Sequence, residues 1–274
     1  MEPDFDKIFE NYILEWYQTH QDEFESPEDM EDRVPDLYEE WADSSCEALG
    51  GIAPRQFFAN ISDPEELVKL LIATGTSGTP CALLLDRIER VPRCCVYLAD
   101  IVTSSTNKTL IMLAINLLRS IDEQIPYDTY IKWLLDFGTG KSPEHIDSEI
   151  LELVIEVLSE KADLIGDFLV PFVHTASYET KVNLADVLVE YRGNKDVYNL
   201  LVWLFNEGRN MPLYAGYLGK YGDKNAVMIL EGALESCNYL EYMEIVGAIE
   251  RLGGEVNCKR DFNDDPYYRA LKSL

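Results

Sequence analysis

The sequence lacks a long apolar run, and its first residues lack the basic character of a secretory signal. No window approaches the roughly 18 apolar residues that a membrane-spanning helix needs. The opening MEPDFDKIFENYILEWY has acids where a secretory signal has bases. With 47% hydrophobic residues, the 274-residue chain can still bury a continuous core. We therefore expect a cytoplasmic protein that does not bind a membrane.

Basic residues are also scarce, because 23 Lys and Arg face 50 Asp and Glu and give a net charge of −27. Nucleic acids and anionic lipids are bound through Lys and Arg, so we expect neither as a partner. The first 50 residues hold 17 acids and only two bases. This segment predicts an acidic patch that steers a basic protein toward the chain, although it could equally serve only solubility. The candidate patch residues are Glu28, Asp29, Glu31 and Asp32.

Motifs for catalysis and metal binding are missing as well. The six cysteines form no CxxC pair, and the three histidines show no i,i+4 spacing of a helical metal site. The phrase GTGKS at 138–142 has Leu135 where a phosphate-binding loop needs glycine. No serine or cysteine lies in a nucleophile-elbow phrase. We therefore predict no cofactor, no metal and no catalytic residue, and a protein that is not an enzyme.

The patterns that are present indicate helices. Apolar residues recur three and four apart, as in ILELVIEVL at 150–158, whereas the alternation typical of strands is scarce. Asp63-Pro64 followed by two glutamates is typical of a helix start, and Ser142-Pro143 has the same form. The sequence thus predicts an all-α fold.

Two related phrases, RGNKDVYNLL at 192–201 and YGDKNAVMIL at 221–230, lie 29 residues apart. Gly193 and Gly222 can adopt the left-handed conformation that ends a helix, and Asn194 or Asp223 can cap the next one. A third glycine corner follows at Gly253. Starts of first helices fall near 64, 94, 126, 162, 195 and 224. Helix pairs that repeat about every thirty residues are typical of an α-solenoid.

Residues 222–253 resemble a short HEAT-type repeat, in which a Gly-Asp corner precedes an Ala-Val-x-x-Leu helix and a later helix ends in a Leu-Gly phrase. The usual Val-Arg at the start of the second helix is missing. The matching phrases are Gly222-Asp223, Ala226-Val227, Ile229-Leu230, Ala233-Leu234, Ala248-Ile249 and Leu252-Gly253. The resemblance implies a right-handed α-solenoid of about six HEAT-like pairs over 61–274, with an acidic helical N-terminal cap over 1–60.

Helical solenoids serve many functions, so the resemblance implies an interaction scaffold without identifying a partner. An inhibitor or immunity-type protein that neutralises a basic toxin or nuclease is one alternative. A HEAT-like enzyme, resembling DNA glycosylases or bilin lyases, is another. In such solenoids the second helix of each pair usually lines the concave surface. The residues this nominates for partner binding are Asp186, Glu190, Tyr191, Tyr214, Lys220, Glu241, Glu244 and Arg251.

Overall fold

The structure, a computed structural model, describes residues 3–20, 27–256 and 260–272, without the side chains of residues 27–29 and 77. Within these ranges the chain is helical, and its only extended pairing is an isolated bridge between Cys46 and Ile52. The prediction of an all-α fold is confirmed. None of the helices in these ranges is both long and apolar enough to cross a membrane.

The helices group into two compact units, Met1–Pro126 and Tyr127–Leu274. The boundary predicted after residue 60 falls inside the first unit. Two short 3₁₀ turns, Glu47–Leu49 and Pro92–Cys94, interrupt the α-helices of that unit. These helices are α1 Phe5–His20, α2 Pro27–Asp43, α3 Pro54–Asn60, α4 Pro64–Ser77, α5 Ala82–Glu89, α6 Cys95–Ser104 and α7 Lys108–Ile121.

Aromatic side chains join the first helices of this unit. The Phe9 ring centroid lies 5.0 Å from the centroids of both Tyr38 and Trp41, which joins α1 to α2. Leu37 and Trp41 of α2 are both buried. The Phe5 centroid lies 4.6 Å from that of Phe58, which joins α1 to α3. The acidic N-terminal helices therefore contribute apolar side chains to the core of the first unit despite their charge.

The second unit continues the helical pattern, with one 3₁₀ segment at Val170–His174. Its helices are α8 Tyr127–Asp136, α9 Ser148–Glu160, α10 Ala162–Leu169, α11 Tyr178–Leu188, α12 Lys195–Glu207, α13 Met211–Tyr221, α14 Ala226–Ala233, α15 Tyr239–Arg251 and α16 Pro266–Lys272.

Alternate helices of the second unit pack on one another. Helix α9 contacts α11, and α13 contacts α15, while α12 packs on α13 and α14 on α15. A hydrogen bond from Tyr217 to Asp186 joins α13 to α11, and an ion pair between Lys220 and Glu190 joins α13 to the turn that follows α11. Helices begin at 64, 95, 127, 162, 195 and 226, each within two residues of a predicted helix start.

The glycine corners adopt the predicted backbone conformation. Gly193, Gly222 and Gly253 have φ of 81°, 87° and 81°, which is the left-handed region that favours glycine. The Asn194 side chain accepts hydrogen bonds from the amides of residues 196 and 197 and caps α12, as predicted. The Asp223 side chain instead accepts from the amide of residue 225, and α14 begins one residue later.

One predicted helix start is wrong. Ser142-Pro143 does not open a helix, and Ser142 Oγ is buried without a hydrogen-bond partner. Helix α9 begins at Ser148 because the Asp147 carboxylate accepts hydrogen bonds from the amides of residues 149 and 150. A capping side chain that satisfies two of the free amides at a helix end is the stronger start signal.

Candidate functional site

Helix α10 presents apolar side chains to solvent on the side away from the core. Ala162, Ile165 and Leu169 face inward and are buried, as the spacing of an eight-residue amphipathic helix requires. Leu164 and Phe168 each precede one of these buried residues, Ile165 or Leu169, so they point to another side of the helix. They are 69% and 57% exposed. Two large apolar side chains at i and i+4 are neighbours on a helix surface, so together they form one exposed patch.

This apolar row continues into the 3₁₀ segment that follows α10. The ring centroids of Phe168 and Phe172 lie 5.9 Å apart, a spacing at which aromatic rings contact each other. Phe172 is half-buried, and its ring contacts the more exposed ring of Phe168. Leu164, Phe168 and Phe172 therefore make a continuous apolar row.

A row of carboxylates runs beside the apolar row. Asp163 and Asp167 are both exposed and precede Leu164 and Phe168 in the sequence. In a helix, two positions four apart stack above one another, so the acids form a row parallel to the apolar one. We call Asp163, Leu164, Asp167, Phe168 and Phe172 the α10 face.

Tyr191, which follows α11, holds α10 in place. Its hydroxyl donates a 2.6 Å hydrogen bond to Asp167 Oδ1, and this bond raises the pKa of the tyrosine. Its ring lies directly on Gly166, where a Cβ atom would overlap the ring carbons. The glycine therefore permits a close approach that a larger residue would block. Tyr191, which was predicted to contact a partner, thus positions the α10 face.

The other second-helix residues nominated from the sequence form bonds within the protein. Asp186 on α11 accepts a 2.7 Å hydrogen bond from the Tyr217 hydroxyl on α13, and burial raises the pKa of this carboxyl. Glu190 forms an ion pair with Lys220. These polar groups join neighbouring helices, so their first role here is to stabilise the fold.

Tyr214 requires a correction, because the structure places it in the core and not on a surface. The side chain is only 2% exposed, and its ring centroid lies 6.0 Å from that of Tyr217. A partner cannot reach it in this conformation. Tyrosine has a large apolar body that suits burial as well as an interface, and sequence position alone does not distinguish the two uses.

The nominated residues of α15 differ among themselves. Glu241 belongs to a capping box, in which its carboxylate accepts from the Asn238 amide and the Asn238 side chain accepts from the Glu241 amide. Glu244 and Arg251 are exposed. These last two remain available to a partner, but the structure does not bring them together with the α10 face.

Only two of the four residues of the predicted acidic patch have side chains that the structure describes. Glu31 and Asp32 on α2 are exposed, whereas the side chains of Glu28 and Asp29 lie outside the described residues. Arg33 in the same helix forms ion pairs with Asp36 and Glu40. The first turns of α2 therefore present at least two carboxylates to solvent.

Groups suited to chemistry are sparse in the described ranges. No group of three or more His, Cys, Asp or Glu side chains there is arranged to hold a metal ion. Five cysteines are free thiols, of which four are buried. Burial raises the pKa of Cys94 to about 11, which keeps this thiol protonated and unreactive near neutral pH.

Sequence reasoning missed the α10 face, although one signal was present. Apolar residues recur every four positions at 164, 168 and 172, and a second such series occupies the adjacent positions 165, 169 and 173. Two adjacent apolar rows make the helix apolar over more of its circumference than one buried face needs. The pattern does not tell which row faces the core.

No protein-family model, curated protein or solved structure was found to match the chain.

Proposed function

We propose that this protein is a non-catalytic, cytoplasmic interaction module that binds a basic partner protein through the α10 face. The observation that carries the proposal is the exposed row formed by Leu164 and Phe168. Large apolar side chains that adjoin one another on a surface are typical of interaction sites, whereas isolated ones are ordinary.

The proposed scaffold is a right-handed α-solenoid of about six HEAT-like helix pairs behind an acidic N-terminal cap. Its support is the regular spacing of helix starts and the packing of α9 on α11 and of α13 on α15. In a solenoid each helix pair buries its apolar side against its neighbours, so outward positions are free for binding.

The energetics favour Leu164 and Phe168 as anchors. Full burial of one leucine or phenylalanine side chain contributes about 1.5–3 kcal/mol relative to exposure. Tyr191 fixes α10 through its contacts with Gly166 and Asp167, and Phe172 contacts the Phe168 ring. A surface that is already ordered loses less entropy when a partner binds. A few such anchors usually dominate the binding energy of an interface.

The test compares proteins retained from native cell extract by three immobilised forms of the chain. We expect wild type and Met228→Ala to retain the same basic protein, and Leu164→Ala/Phe168→Ala to lose it. Met228 is the matched control because it is an exposed apolar residue at the same position of another eight-residue helix, α14, at 79% exposure. Retention of the same proteins by all three forms would contradict the proposal.

An inhibitor or immunity-type role is the second candidate, and the exposed acids Glu31 and Asp32 within a strongly acidic segment favour it. Such a surface would resemble the phosphates that a basic nuclease binds. The same capture experiment distinguishes the two roles. A retained partner whose enzymatic activity falls on binding identifies an inhibitor, whereas unchanged activity identifies a scaffold.

A further inference from the structure

We infer that the α10 face binds a cationic amphipathic helix whose row of apolar residues adjoins a row of Lys or Arg. This inference rests on the proposed function and specifies the chemistry of the partner. It follows from the two parallel rows of the face, one apolar and one acidic, and from how they are spaced.

The length of the apolar row fits about two turns of a partner helix. A rise of about 1.5 Å per residue to the end of α10 at position 169, and of about 2.0 Å per residue in the 3₁₀ segment that follows, gives about 13–14 Å from position 164 to position 172. The 5.9 Å between the Phe168 and Phe172 rings agrees with one step of that row. A partner helix with apolar residues at i, i+4 and i+8 repeats at the same interval, so each can meet one side chain of the row.

The row of carboxylates, Asp163 and Asp167, favours a helix over a strand as the element of the partner that binds here. Asp163 and Asp167 lie about 100° round α10 from the apolar row. A partner must therefore offer bases and apolar groups on the same side. Successive side chains of a strand point to opposite faces, whereas a helix places adjacent rows side by side. An amphipathic helix meets both rows at once.

The carboxylates can accept a cation from outside. The Asp163 carboxylate forms no side-chain hydrogen bond or ion pair with any residue that the structure describes. Asp167 uses Oδ1 for the Tyr191 hydroxyl, which leaves Oδ2 for a partner. A cleft of about 330 Å³ beside Asp163 is also lined by Glu160 and Glu190. A Lys or Arg placed here would lie beside the Asp163 carboxylate, whereas Glu190 of the same cleft already forms an ion pair with Lys220.

A second copy of the chain is the less favourable occupant. Two α10 faces related by twofold symmetry would bring their own Asp163 and Asp167 side chains together, and each chain carries a net charge of −27. Like charges opposed in this way destabilise a complex. The face thus selects a basic partner over itself.

The experiment uses designed helical peptides and measures affinity by fluorescence anisotropy at low and high salt. The probe carries Leu at three positions four apart, with Lys in the adjacent row. One control peptide replaces each Lys with Glu, one replaces each Leu with Ser, and one is a scramble of the probe. The scramble controls for general attraction between a cationic peptide and an acidic protein.

We expect the probe to bind wild type at least tenfold more tightly than any control peptide. Leu164→Ala/Phe168→Ala should weaken binding about thirtyfold, as loss of an interface anchor does. Asp163→Asn/Asp167→Asn should weaken it about five- to tenfold at low salt and reduce the salt dependence. The asparagine at 167 can still accept the Tyr191 hydrogen bond. Met228→Ala should bind as wild type does.

Equal binding of the scrambled or glutamate peptide, or an unchanged affinity in the asparagine variant, would overturn this inference. The proposed function would survive that outcome if Leu164→Ala/Phe168→Ala still lost the native partner in the capture experiment. If the alanine variant neither lost that partner nor weakened the probe, both would fail.

Discussion

Helices α10 and α14 are alike in length and in how they begin, and they differ in what they present to solvent. Each has eight residues and starts with a buried alanine, Ala162 or Ala226. Aligned on these alanines, Leu164 matches Met228, and both are exposed, at 69% and 79%. An exposed apolar residue at this position is therefore not special to α10.

The two helices differ at the positions two and four residues after Leu164 and Met228. Gly166 of α10 matches the fully buried Leu230, and Phe168 matches Gly232. In α10 the Tyr191 ring occupies the space above the glycine, while Phe168 extends the exposed row. In α14, Leu230 is buried in the core, and the position four residues after Met228 is Gly232, so no second apolar side chain adjoins the methionine there. Helix α10 thus differs from α14 in presenting a row of exposed apolar side chains and not a single one, and this difference is the reason we propose the α10 face as a binding surface.

The largest expected effect is on the buried side of α14. Leu230→Ala should lower the free energy of unfolding by about 2–5 kcal/mol, because it deletes buried methyl groups and leaves a cavity. Met228→Ala in the same helix should change it by less than about 0.5 kcal/mol, because Met228 is 79% exposed. Urea unfolding of both variants measures the difference. Similar losses in the two would show that the helical register of α14 is wrong.

A smaller effect is expected where Gly166 meets Tyr191. Gly166→Ala should destabilise by about 1–3 kcal/mol, because the new Cβ would overlap the ring near its attachment point, where the side chain cannot easily yield. Gly232→Ala has open space around its new methyl group and should stabilise by up to about 1 kcal/mol through higher helix propensity.

Thermal or urea unfolding of these two glycine variants has a built-in control. In a Tyr191→Ala background the overlap is removed, so Gly166→Ala should then behave like Gly232→Ala. A destabilisation by Gly166→Ala that persists without the Tyr191 ring would mean that the ring does not set the position of α10.

Much of the fold was predictable because its start signals are local. Asp63 caps α4 and Asn194 caps α12 through side chains adjacent in sequence to the amides they satisfy. The same logic failed at Ser142, because Asp147 five residues later satisfies two amides and Ser142 satisfies none. Local competition between caps decides such cases, and the residue types alone do not rank them.

The candidate site was less predictable because it depends on contacts between distant residues. Their polar character nominated Asp186 and Glu190 for partner binding. Their partners Tyr217 and Lys220, however, lie about thirty residues further along the chain, and the two bonds join α13 to α11 and to the turn after it. The α10 face is exposed because Ile165 and Leu169, and not Leu164 and Phe168, face the core. Tertiary packing makes that choice, so periodicity in one helix does not contain it.

The smallest expected effect concerns one carboxyl group, and it contrasts the half-buried Asp186 with the exposed Asp163. Burial raises the pKa of Asp186, while the hydrogen bond from Tyr217 lowers it in part. The folded protein therefore holds this proton more tightly than the unfolded chain. Folding stability must then fall as pH rises from the unfolded pKa of about 4 through the raised folded value.

Two variants should move this pH dependence in opposite directions. Asp186→Asn cannot ionise, so its unfolding free energy minus that of wild type should grow as pH rises from about 4 to 7, and then level off. Tyr217→Phe removes the hydrogen-bond donor that stabilises the Asp186 carboxylate. The free energy of unfolding of this variant should therefore fall further below that of wild type as pH rises over the same range. Asp163→Asn, measured in parallel, controls for the loss of one negative charge from a strongly acidic protein. Urea unfolding at a series of pH values tests this, and parallel curves for Asp186→Asn and wild type would mean that the Asp186 carboxyl ionises alike in the folded and unfolded chain.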